Sequence, residues 1–150
     1  MYIRKLAADE LPPMDLLLTA DPSHLKVEAY LKRGECYAVF DEEEIAGVYV
    51  LLPTRPDTAE LVNVAVAEVH QGKGLGKQLV LHAIQVAAIQ GFSTIEVGTG
   101  NSSIGQLALY QKCGFRIVAV ELDFFTRHYP EVIYENGMIC RDMLRLTREL

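Results

Sequence analysis

The sequence predicts one α/β domain whose elements run β-α-α-β-β-β-α-β-α-β-β around a sheet of mixed strand direction. Three observations carry this. A chain of 150 residues, 50% hydrophobic and 23% charged, has the length and composition of a single folded core. Two β-type runs, Cys36 to Phe40 and Ile45 to Leu52, flank the acidic stretch Asp41-Glu42-Glu43-Glu44, which is a hairpin signal. A third run, Leu61 to Val66, passes through a glycine-rich turn into helical spacing, the strand-turn-helix unit of an α/β chain.

The elements follow in order. MYIRKLA alternates Tyr2, Arg4 and Leu6 against Ile3 and Lys5, as a first strand does. Leu11 to Thr19 reads as a helix begun by Pro12-Pro13. Asp21-Pro22 then reads as an N-cap followed by proline at the first helical position, opening a helix that runs to Arg33 and stops at Gly34. The hairpin comes next, then a polar loop from Pro53 to Ala59, then the strand Leu61 to Val66. Leu75, Leu79, Ala83, Val86 and Ala87 recur at helical spacing as far as Gly91. Ser93 to Val97 is a strand, and Ile104, Leu107 and Ala108 mark a helix closed by Cys113-Gly114. Phe115 to Leu122 and Met138 to Leu146 read as strands, with the aromatic segment Phe124 to Gly137 as a loop between them. No repeat, linker or low-complexity stretch divides the chain, so residues 1–150 form one expected domain.

Charge and composition narrow the function classes. Fourteen basic and 20 acidic residues leave a net charge of −6, the reverse of a general nucleic-acid binder's footprint. Neither a membrane-spanning apolar run nor a charged-then-apolar leader pattern is present, so no membrane partner is expected. Cys36, Cys113 and Cys140 are odd in number, lack CxxC or CxxH spacing, and read as reduced thiols of a cytoplasmic protein that holds no metal.

The turn Gln71-Gly72-Lys73-Gly74-Leu75-Gly76-Lys77 is where the backbone itself is needed, since glycine costs about 0.5–1 kcal/mol relative to alanine inside regular structure. A P-loop needs GxxxxGK followed by Ser or Thr; here the spacing is one residue short and Gln78 follows Lys77. A dinucleotide fingerprint needs GxGxxG; here Lys77 fills the third slot. QxxGxG after a strand and before a helix fits. Its N–H groups converge on an anion at a helix N-terminus, with Lys73 and Lys77 adding charge.

With VAVAEVHQGKGLG, a second motif decides the reading. The stretch IEVGTGNSSIGQLALYQKCGF ends in ALYxKxGF, and together the two resemble the GNAT acyl-CoA N-acetyltransferases. The resemblance covers the whole order of elements, with its specific motifs between Leu61 and Phe115. It implies a mostly antiparallel sheet and acetyl-CoA as co-substrate. It also implies that Gln71 to Lys77 hold the pyrophosphate, and that main-chain groups of Val64, Ala65 and Val66 hold the pantetheine arm and the acetyl carbonyl.

Tyr110 matches the family's general acid, a phenol able to protonate a departing thiolate. The acceptor amine must lose a proton, and Glu60 or Glu96 is the candidate base. Glu60 shares strand parity with Val64 and Val66, which predicts one common face. The family's asparagine slot, seven residues before the tyrosine, is Ser103 here, while Asn101 lies nine before, after the turn-like Gly98-Thr99-Gly100. Either residue is a candidate contact to the cofactor arm. Cys113 raises a covalent route but has no sequence-placed base, and His128 is a candidate on the acceptor side. The expected partner is an amine, small-molecule or protein-borne, and Asp57, Glu60 and Glu131 favour a cationic one. The alternative is an acyl-CoA-binding module without turnover. Monomer and homodimer both stay open.

Overall fold

The computed structural model describes residues 1–150. Seven strands form one sheet in the order β1-β2-β3-β4-β5-β9-β6: β1 (Tyr2–Lys5), β2 (Glu35–Asp41), β3 (Glu44–Arg55), β4 (Thr58–Val66), β5 (Thr94–Gly100), β9 (Met143–Glu149) and β6 (Arg116–Glu121). Only β4 and β5 pair in parallel. Helices α1 (Met14–Ala20) and α2 (His24–Arg33) cover one face; α3 (Leu75–Ile89) covers the other, with α4 (Ile104–Lys112) beside it. A short helix α5 (Phe124–His128) and a hairpin, β7 (Ile133–Glu135) with β8 (Met138–Cys140), complete the chain. No helix is long and apolar enough to cross a membrane.

The core has two parts because the sheet is covered on both faces. Leu75, Leu79, Val80, Ala83, Ile84 and Ala87 of α3 pack on Tyr49, Leu61 and Ile95. Leu17, Val27 and Tyr30 pack on Val48, Val50 and Ala65. Each large buried aliphatic side chain contributes about 1.5–3 kcal/mol by leaving water.

Several expectations are corrected. The loop Pro53 to Ala59 shrinks to Pro56-Asp57, because β3 runs to Arg55 and β4 starts at Thr58. Pro53 is tolerated in the strand because β2 pairs with β3 only as far as Leu51. Ser23, not Asp21, caps α2, its hydroxyl accepting from Lys26 N at 3.2 Å. Gly98-Thr99-Gly100 continues β5 rather than turning. A Cβ at Gly98 would meet the Met143 sulfur at 2.7 Å, and one at Gly100 would meet the Cys140 sulfur. The segment Phe124 to Gly137 is α5 and β7, and the final strand divides into β8 and β9.

A β-bulge changes the facing of β4. Val50 pairs with Asn63 and Leu51 with Leu61, which leaves Val62 as an extra residue. Before the bulge, Ala59 and Leu61 face α3, so Glu60 points to the α1–α2 side. After it, Val64 joins the α3 side and Ala65 the α1–α2 side. The predicted common face for Glu60, Val64 and Val66 is therefore wrong by one inserted residue.

Candidate active site

The two parallel strands part. β4 and β5 pair only from Thr58–Thr94 to Leu61–Val97, and beyond Leu61 that edge of β4 has no partner strand. Two cavities meet at this opening, sharing Thr19, Ala20, Val64, Ser103, Gln106 and Glu135 in their walls.

The first cavity, about 790 Å³, runs past Val64, Ala65 and Val66 to Gln71, Gly72, Gly74, Leu75 and Gly76. Gly72 and Gly74 have φ of 79° and 80°, left-handed backbone that side chains rarely adopt. A Cβ at either would meet nothing within 4 Å, so it is backbone conformation, not internal crowding, that requires glycine there. Gly76 differs: it lies in the first turn of α3, and a Cβ there would make ordinary contacts with Leu109 and Val66. The N-terminus of α3 has no side-chain cap, leaving its first N–H groups available. The N-terminus of α4 is also uncapped by side chains, because the Ser103 hydroxyl donates to Glu135 Oε1 at 2.6 Å instead. Ser103, Gly105 and Gln106 bring that second helix end to the same cavity. The Gln71 side chain turns back and donates to Val66 O at 3.0 Å, bracing the loop against the end of β4. This open, uncapped cradle fits a pyrophosphate. Lys73 and Lys77 belong to the turn but are not in the cavity wall.

The second cavity, about 580 Å³, lies against the end of α1 and the Asp21-Pro22 turn that follows it, with Tyr110 in its wall. Tyr110 is 5% exposed and packs edge-on against Phe115. Burial, reinforced by neighbouring Cys113, raises its phenol well above the ordinary value. Cys113 is buried too, and its thiol is likewise pushed up by burial, so it lacks the character of an activated nucleophile.

Glu60 and Glu96 are register partners on β4 and β5, one pair before the strands part. Neither lines either of these two cavities. Glu96 is held in an ion pair with Arg55. Burial and the nearby Glu96 charge raise the Glu60 pKa, while Arg145 pulls it down and the rise prevails.

Asn101 is committed to the fold. Its amide donates to Ile139 O at 3.1 Å and its oxygen accepts from Arg141 N and Asp142 N at 2.9 and 3.0 Å. Of the two candidates for the cofactor arm, Ser103 alone stands in the cavity walls. His128 packs at a tilt against Phe124 and is not a lining residue; Phe125 and Tyr129 from the same segment are. Asp57 and Glu131 are likewise outside the wall, which takes its carboxylates from Asp21 and Glu135. Asn63, 3% exposed, lines the same cavity and was not legible as a functional residue from sequence. No group of three or more His, Cys, Asp or Glu side chains is arranged to hold a metal.

A profile of the acetyltransferase (GNAT) family matches residues 3–115. A Bacillus subtilis (strain 168) relative described as the uncharacterized N-acetyltransferase YvbK is 63% identical over 95% of this chain and 90% of its own length. The structure of a Bacillus subtilis acetyltransferase in complex with CoA superimposes with a TM-score of 0.94 at 59% identity, covering 99% of this chain and 97% of that one. A GNAT family acetyltransferase from Elizabethkingia anophelis with acetyl-CoA bound gives 0.97 at 47% identity, with the same coverage. The chain belongs to the GNAT family of acetyltransferases.

Proposed function

We propose that the protein transfers an acetyl group from acetyl-CoA directly to a primary amine. The observation that carries this is the parting of β4 and β5, with a glycine cradle along one cavity and Tyr110 in the wall of the adjoining one. The acetyl-CoA and CoA complexes of its relatives support the same donor here.

Acetyl-CoA supplies an acyl group activated as a thioester. The backbone N–H groups of the Gly72–Gly76 turn and of the two helix ends hold the pyrophosphate. Lys73 and Lys77 add attraction that salt screens. The main chain of Val64, Ala65 and Val66, free of a partner strand on the β5 side, binds the pantetheine arm and the acetyl carbonyl. Ser103 stands where the cavities join and orients that arm.

Two protons must move. Glu60 lies on the acceptor side of the sheet with a carboxyl pushed upward, suited to take the amine's proton through water. Glu96 is occupied by Arg55, which leaves Glu60 as the better base of the pair. Tyr110 gives its proton to the departing sulfur. The dry surroundings that raise the phenol also raise a thiolate formed beside it, as they raise Cys113, so donor and acceptor stay matched. The three unpaired thiols fit a reducing, cytoplasmic setting.

Thiol release from acetyl-CoA across a panel of amines tests the reading. Amine-dependent release is the expected result. Acetyl-CoA binding without release for any amine would instead favour a non-catalytic acyl-CoA-binding module.

A further inference from the structure

The acceptor-side cavity has an unusual polarity. Its lining includes two carboxylates, Asp21 and Glu135, and no Lys, Arg or His. Asp21 is held in place by three donors: Tyr129 Oη at 2.9 Å, Ser23 N at 3.1 Å and Tyr30 Oη at 3.4 Å. A carboxylate offers about four acceptor positions, so one direction at Asp21 is left over. Glu135 uses only Oε1, accepting from Ser102 and Ser103.

Asn63 provides the independent observation. Its Nδ2 donates to Leu17 O at 3.0 Å and to Tyr30 Oη at 2.8 Å. The Leu17 carbonyl can only accept, which fixes the amide orientation and turns Oδ1 the other way. That oxygen is buried and has no partner. An orphaned acceptor of this kind is costly, and a donor that reaches it once a small shift of the cavity wall uncovers it recovers that cost. The Tyr30 hydroxyl, receiving from Asn63 and donating to Asp21, ties the two acceptors into one network.

We propose that the acceptor carries a second, cationic nitrogen besides the amine that reacts, and that this nitrogen seats on Asp21 and Asn63. The enzyme then acts on diamines and related dications and discriminates against amines that bear a carboxylate, for which the cavity wall offers no counter-charge. This rests on the acetyltransferase reading and names its substrate class.

The test is acetyl-CoA thiol release with linear diamines of increasing length, monoamines of matched length and the corresponding ω-amino acids. Diamines should exceed both other series by about tenfold or more in kcat/KM at one chain length. Asp21→Asn, with calorimetry of CoA binding to verify a folded protein, should collapse the diamine-to-monoamine ratio toward unity. Calorimetry of the best diamine on the CoA-loaded protein should show binding that Asp21→Asn weakens in parallel. Equal rates across the series, or a preference for ω-amino acids, would overturn the inference while leaving acetyl transfer standing. A ratio unchanged in Asp21→Asn would also overturn it. Absence of release with every amine would instead remove the acetyltransferase reading, and this substrate class with it.

Discussion

Glu60 and Glu96 stand opposite one another on the parallel strands β4 and β5, one pair before those strands separate. Arg55 neutralises the second and leaves the first in a partly buried position that favours its protonated form. The two carboxylates therefore have different chemistry despite equivalent places in the sheet.

For Glu60→Gln the expected outcomes are slower turnover and higher stability. The folded protein holds the Glu60 proton more tightly than the unfolded chain, so stability tied to this group is complete below the unfolded value near 4.5 and is lost as pH rises through the folded value. The variant should melt above the parent near neutral pH, with the gap closing on acidification. Its rate deficit should be largest above the raised Glu60 value and below the amine's value of about 10.4, where the carboxylate is ionised while the amine still carries its proton, and should close as acid protonates Glu60. Melting curves and rates at matched pH test both arms, with Glu96→Gln as the comparison. Equal, pH-independent rates in both variants would leave water alone as the proton acceptor.

Gly74→Val should weaken CoA binding by roughly tenfold or more, since a β-branched residue at φ 80° is strained and the cradle's N–H groups shift with it. Gly76→Ala keeps helical geometry and ordinary contacts, so its fold should be unchanged. A loss of affinity there would report how closely the ligand approaches. Calorimetry on both variants separates the effects, and full affinity in Gly74→Val would rule out the cradle.

Tyr110→Phe retains the ring and its packing on Phe115 while removing the hydroxyl. Turnover should fall by roughly 10²–10⁴-fold with little change in acetyl-CoA affinity. Poor binding with normal turnover at saturation would make Tyr110 a positioning residue.

Asn101→Ala removes three hydrogen bonds that tie the end of β5 to residues 139–142. A stability loss of about 1–3 kcal/mol is expected, because three backbone groups, two of them partly buried, lose their partners. Denaturant unfolding measures it. An unchanged midpoint combined with weakened CoA binding would restore Asn101 to the cofactor site.

The glycine turn, the helix that carries Tyr110 and most of the sheet were legible in the sequence because each rests on local chemistry: a φ sign, an apolar period, a motif at fixed spacing. The facing of Glu60 was not, since the bulge at Val62 appears only when β4 is paired with β3. Asp21 looked like a helix cap because Asp-Pro has that local signature, yet its oxygens meet Tyr30 of the adjoining helix and Tyr129 from a distant part of the chain. The β7–β8 hairpin did have a signal. Asn136-Gly137, with φ of 54° and 75°, is a two-residue hairpin turn inside the segment read as loop. Asn63 gave none, because an apolar run with one asparagine does not reveal which backbone carbonyl it will meet.

The two cavities share only a short stretch of wall, with Val64 at the parting of the strands. Neither needs to be emptied before the other can fill, and Cys113 is in no condition to carry the acyl group between half-reactions. Initial velocities measured against both substrates should therefore give intersecting reciprocal plots, the signature of a ternary complex, rather than the parallel lines of a ping-pong cycle. A saturating dead-end analogue of the amine should leave acetyl-CoA able to bind, so that inhibition between the two sites is non-competitive.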